Sequence, residues 1–149
     1  MVGCRAAKDP RPEGSCCGVI LLALQRGLGR LGIDAQSEGT YADDKRADIR
    51  LSLGSFNVPV EIKRSCHRDL WTAMRSQLLP KYTRDPGADG FGIYLVFWFG
   101  HRCRCKPTAF KGWVPTNAGE LEARLWEQLS RSERSRISVC VIDVSKSGP

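Results

Sequence analysis

The 149 residues are 42% hydrophobic and 26% charged, with four Trp, five Phe and three Tyr, enough for one globular domain with its own core, and a composition that excludes a wholly disordered chain. Lys and Arg number 23 against 16 Asp and Glu, and the formal charge of +7 favours a polyanionic partner. Cysteines at 4, 16, 17, 66, 103, 105 and 140 lack the repeated spacing of a disulfide scaffold and read as mostly reduced thiols of a cytoplasmic protein; the apolar run at 16–24 is too short to span a bilayer, so no membrane partner is expected.

Residues 1–14 mix charge, Pro and Gly without periodicity and read as a flexible leader to a single domain over 15–149. From Ser15 the spacing of Val19, Leu22, Ala23, Leu28 and Leu31 predicts a helix that stops at Gly32. A short strand over 33–41, the charged turn ADDKR and an alternating strand over 47–53 follow. GSFN at 54–57 reads as a four-residue hairpin loop to a third, antiparallel strand, VPVEIKR, in which Pro59 requires an edge, a bulge or a non-bonding position. A helix over 66–79 would carry Leu70, Trp71, Met74 and Leu78 on one stripe and end or kink at Pro80. DPGADG at 85–90 is turn chemistry, and the apolar run 91–99 predicts a strand buried on both faces.

The stretch 101–116 is a loop with four positive charges and no acid. Asn117 and Glu120 stand in the relation of a capping box before a helix with Leu121, Leu125 and Leu129, and 137–144 closes as a strand. The expected class is α/β, a mixed central sheet flanked by helices in the order α-β-β-β-α-β, then α-β, with a core over 15–99 and a helix-strand extension over 117–144.

Strand alternation sends Glu61 and Lys63 to one face of the third strand and Val58, Val60 and Ile62 to the other. A hairpin closed around 54–57 sets Asp48 opposite Lys63 and Arg50 opposite Glu61, all on that same face. The plain reading is a solvated strand face with a weak ion pair, or a cross-strand charge ladder, in which replacing Glu61 changes stability slightly and nothing else. The chemical reading is that two carboxylates supply oxygen ligands to a hard cation while the lysine orients or deprotonates a water or neutralises a phosphate.

Asp48 in ADIRLSL, followed after a turn by Glu61-Ile62-Lys63, resembles the signature of the PD-(D/E)XK phosphodiesterase superfamily, which includes restriction endonucleases and RecB-like nucleases. The resemblance covers roughly residues 15–99 and implies a restriction-endonuclease-like fold and a metal-dependent nuclease, with DNA ahead of RNA as substrate. It further implies that Asp48, Glu61 and the Ile62 carbonyl hold Mg²⁺ or Mn²⁺ and that Lys63 positions the hydrolytic water. RecB-like members add a Gln and a Tyr from the following helix, for which Gln77 and Tyr82 stand here, five residues apart instead of four and with Pro80 between them. Glu38 is a distant substitute for the acid that some members carry on the first helix.

Residues 64–84 hold Arg64, Arg68, Arg75, Lys81 and Arg84 against the single acid Asp69, and such side chains beside a hydrolytic centre hold phosphates. Arg64, His67 and Arg68, with Lys81 and Tyr82, are the expected nucleic-acid contacts, whereas Arg75 reads as part of a solvated helix face. Cys66, His67, His101, Cys103 and Cys105 lack the spacing of a zinc knuckle. Trp71, Trp98 and Trp126 read as core, with Trp113 the one candidate for base stacking. A rival reading keeps the fold without turnover, as a nucleic-acid-binding or protein-interaction module; a homodimer or a fused partner domain is compatible with either.

Overall fold

The computed structural model describes residues 13–41, 45–101 and 106–145, so most of the expected leader lies outside the described residues. Helix α1, Glu13–Leu28, runs into a 3₁₀ turn, Gly29–Leu31, and stops at Gly32, whose φ of +75° is the left-handed conformation glycine adopts at a helix end. It lies on the sheet through Cys16, Cys17, Ile20, Leu21 and Leu24. The expected stripe is the wrong one: Val19, Leu22 and Leu31 are exposed. A helix apolar on nearly every side offers two stripes of equal spacing, and periodicity does not choose between them.

Five strands form one sheet in chain order: β1 Asp34–Tyr41, β2 Lys45–Leu53, β3 Phe56–Arg64, β4 Gly92–Trp98 and β5 Ile137–Asp143. The first three pair antiparallel, and β3, β4 and β5 pair in parallel, so the sheet is mixed and open. The β2–β3 hairpin closes on two residues, Gly54 and Ser55, with Gly54 at φ +60°. This corrects the expected four-residue loop. Arg50 faces Pro59 instead of Glu61, and the ladder runs from Leu53↔Phe56 to Ile49↔Val60. A slip of two residues leaves every side chain on its expected face, where a slip of one would have inverted them all. Pro59 precedes the first β3–β4 pair, Val60↔Ile93, in the stretch of β3 flanked by β2 alone.

Helices cover both faces of the sheet. On one, α1 packs over Ile49, Val60, Ile62, Leu95 and Phe97. On the other, Leu70, Met74 and Leu78 with Leu121 and Leu125 pack over Tyr94, Val96 and Trp98. Strand β4 is buried on both sides, as its continuous apolar run requires. Helix α2, Ala118–Glu127, begins at Asn117, whose Oδ1 accepts the Glu120 amide at 2.9 Å. The Glu120 carboxylate turns to the amide and hydroxyl of Thr116, one residue earlier than a capping box places it.

The helix expected over 66–79 is displaced. Residues 65–72 form turns, and Met74–Tyr82 is a π-helix that carries Pro80 inside it. Proline lacks an N–H and its ring clashes with the carbonyl four residues back in an α-helix. The wider turn passes that point, and the Thr83 amide reaches the Leu78 carbonyl five residues back at 3.1 Å.

Leu121 is fully buried in the cluster that joins α2 to the sheet. Leu121→Ala is expected to lower stability by about 2–5 kcal/mol in urea unfolding while the far-ultraviolet spectrum of the folded protein is unchanged.

Candidate functional site

Alternation along β3 aims Val60 and Ile62 at α1, and Glu61 and Lys63 at the face beneath the π-helix, beside Tyr94 and Val96 of β4 in register. The Lys63 ammonium donates to Glu61 Oε1 at 2.6 Å and to the Ile62 carbonyl at 3.1 Å. Glu61 is 2% exposed and Lys63 5%. That overturns the reading of a solvated strand face with a surface ion pair. Removing such ions from water costs on the order of several kcal/mol each, and their attraction often only balances that cost, so stability alone is a weak explanation for the pair.

Asp48 joins them from the start of β2. Beyond Ile49↔Val60, the last pair of the β2–β3 ladder, Asp48 Oδ2 accepts the Ile62 amide at 2.7 Å. Its carboxylate is therefore tied to the residue between Glu61 and Lys63, and the expected position opposite Lys63 is corrected with the register. On the backbone side, Cys17 of α1 donates its thiol to the Asp48 carbonyl at 3.7 Å, a contact that no feature of the sequence announces.

Tyr82, at the end of the π-helix, is 7% exposed, and its phenol pKa is pushed up to about 12, first by burial and then by the negative charges of Glu61 and Asp48. Its hydroxyl stays protonated in the field of the two carboxylates. Hydrogen bonding five residues back sets Gln77 and Tyr82 about one turn apart on the helix. The extra residue between them is thus taken up by the wider turn. Gln77 is half-buried and Lys81 exposed.

The basic residues divide. Arg64 follows the alternation to the α1 side, where its register partner Phe97 packs, and its Nε is buried with no bonding partner among the described residues. The structure therefore does not bring Arg64 to the carboxylates, and strand parity already pointed that way. His67 Nδ1 accepts the Asp69 amide at 3.0 Å, which leaves the proton of a neutral ring on Nε2. The Arg68 side chain is 90% exposed. Arg75 is no free surface charge: its guanidinium spans both oxygens of Glu133 at 2.5 and 2.8 Å and holds the Glu133 carboxyl below its ordinary pKa.

Thr108, from the basic loop, pins the exit of β3. Its amide donates to the Ser65 carbonyl at 2.9 Å, its hydroxyl to the His67 carbonyl at 2.9 Å, and its own carbonyl accepts Trp71 Nε1 at 2.8 Å. Trp113 packs edge-on against Trp71 and stacks with Arg124. Cys66 is disulfide-bonded, so the expectation of reduced thiols fails there, while Cys16, Cys17 and Cys140 remain thiols. Cys103 and Cys105 lie outside the described residues, as does the side chain of Glu38 in β1.

No group of three or more His, Cys, Asp or Glu side chains among the described residues is placed to hold a metal. The donors that converge here are two carboxylates and one backbone carbonyl, all oxygen, which is the donor chemistry of Mg²⁺ or Mn²⁺ and not of zinc.

The raised phenol pKa has a consequence for stability. Below the ordinary tyrosine pKa of about 10, folded and unfolded chains both hold the Tyr82 proton. Between about 10 and about 12 the unfolded chain loses it first, so stability falls as pH rises through that window. Tyr82→Phe is expected to remove about 1 kcal/mol of the fall between about pH 9 and about pH 11 in urea unfolding.

No curated protein and no solved structure matches the chain. No helix among the described residues is long and apolar enough to cross a membrane. A family profile, described as a domain of unknown function (DUF8371), matches residues 4–101, a span that contains α1 through β4 and with them Asp48, Glu61, Lys63 and Tyr82. That span is about two thirds of the sequence, and the chain belongs to this family.

Proposed function

We propose that this protein is a metal-dependent nuclease of the restriction-endonuclease-like fold, hydrolysing phosphodiester bonds in DNA ahead of RNA. The observation that carries the reading is a buried Glu61–Lys63 pair tied through Ile62 to Asp48, on a covered face of the sheet. Asp48, Glu61 and the Ile62 carbonyl would hold Mg²⁺ or Mn²⁺. The ion, when bound, acidifies water and offsets charge on a phosphate. Lys63 orients the attacking water by hydrogen bonding and faces the growing negative charge of the phosphoryl oxygens. Tyr82, kept as a phenol, has an O–H to donate to a phosphate oxygen. Gln77, about one turn before it on the helix, would add a side-chain amide to the same centre.

His67, Arg68 and Lys81 serve as phosphate contacts around the centre, giving sequence-independent and salt-sensitive binding. The overall charge of +7 favours the same polyanion.

One observation favours a second reading, a module of the same fold that binds nucleic acid or protein without turnover. The Lys63 ammonium satisfies both Glu61 and the Ile62 carbonyl within the chain itself, so the cluster is neutralised in part without any ion.

Cleavage of supercoiled plasmid and of labelled single strands in Mg²⁺, Mn²⁺ or EDTA separates the two. Metal-dependent cutting is expected, reduced by at least about a hundredfold in Asp48→Ala, Glu61→Gln and Lys63→Ala, with the circular-dichroism spectra unchanged. A variant that cuts normally removes its residue from the site. Salt-sensitive DNA binding without cutting by the unaltered protein establishes the binding module instead.

A further inference from the structure

Glu61 Oε1 and the Ile62 carbonyl oxygen are two of the atoms to which the proposed activity assigns a divalent ion, and the Lys63 ammonium already bridges them at 2.6 and 3.1 Å. An ammonium is a cation with three donors. Here it is nearly as well buried as the carboxylate it neutralises. It offsets the cost of withdrawing the Glu61 carboxylate from water near a second carboxylate, Asp48, whose field reaches the same tyrosine. The fold therefore carries its own counter-ion.

A hard ion draws its oxygen ligands to about 2.0–2.1 Å and repels an ammonium on the same oxygens. Lys63 and the ion thus compete for one place. We propose that the Lys63 ammonium is a resident cation that a divalent ion displaces from Glu61 and Ile62, and that only the displaced ammonium is placed to act on water or phosphate. The inference rests on the nuclease reading and adds to it an order of events. The lysine is withheld until the ion arrives, and the ion's apparent affinity is lowered by the contacts it must break.

The residues at hand account for both end states. With the ammonium in place, the described residues set one positive and two negative groups about a neutral phenol. A divalent ion in the same place neutralises the two carboxylates by itself, so the ammonium is no longer held by them and is repelled by the ion toward the anionic substrate. The Lys63 stem leaves β3 from a fixed backbone, so the change asks for side-chain rotation and no rearrangement of the sheet.

The test measures Mg²⁺ and Mn²⁺ binding to the full chain by calorimetry, beside Lys63→Met and Lys63→Gln, and follows the Lys63 Nζ resonance of the unaltered protein as Mg²⁺ is added. Displacement predicts that both variants bind the ions about tenfold or more tightly, and that the Nζ signal shifts or exchanges away as Mg²⁺ saturates. An Nζ signal that stays in place at saturation overturns the proposal, as does a variant affinity equal to or weaker than that of the unaltered protein. If the unaltered protein binds and cuts in either of those cases, displacement fails and the nuclease reading stands. If neither the protein nor its variants bind Mg²⁺ or Mn²⁺, the nuclease reading falls and displacement with it. The NMR measurement needs no variant, so a failure of Lys63→Met to fold leaves the proposal exposed to refutation.

Discussion

The hydrogen bond from the Ile62 amide to Asp48 Oδ2 fixes the site. It lies just past the last β2–β3 pair, where a carboxylate takes a backbone donor that the ladder no longer serves. Because Ile62 stands between Glu61 and Lys63, one bond holds the acid of β2 in register with both charged residues of β3. The same residue buries its side chain on the α1 face. The hydrophobic packing of α1 and the position of the carboxylates are thus coupled through a single backbone unit.

Burial distinguishes this arrangement from a surface ion pair. The π-helix and the turns before it roof the face on which the charges stand, with Leu70, Met74 and Leu78 in the core and Tyr82 closing the end over the carboxylates. In that low-dielectric cover each charge acts on its neighbours more strongly than it would in water. The lifted phenol pKa is one sign of this, and the tight Lys63–Glu61 contact is another. A π-helix at this point also answers the proline within it: the turn that passes Pro80 is the one that brings Tyr82 round to the site.

Much of this was legible in the residues. Alternation placed Glu61, Lys63 and Asp48 on one face, and it survived a mistaken hairpin because a slip of two keeps parity. The same rule sends Arg64 away from the site, although its basic neighbours invited the opposite conclusion. Periodicity failed on α1, where apolar residues surround the helix, and on 66–79, where Pro80 marks a change of helix type and not an end. Burial of the ion pair was not legible, since it depends on a roof folded from residues 66–82. Nor were the bonds of Thr108 to Ser65 and His67, which join positions some forty residues apart and follow no local pattern.

Charge of opposite sign at two length scales gives the site its direction. The surface of a chain with formal charge +7 draws polyanions at distances set by the Debye length, about 8 Å at physiological salt. Within the covered cluster the described residues set two carboxylates beside one ammonium, and the adjacent phenol is held neutral. In the proposed function, a polyanion would be attracted to the molecule and turned back from its centre until a further cation entered there. A wholly basic cluster would bind phosphate without that requirement, and a wholly acidic one would repel it. In the proposed function, the buried lysine, flanked by acids on a strongly basic protein, would make substrate approach and cation binding two parts of one electrostatic event.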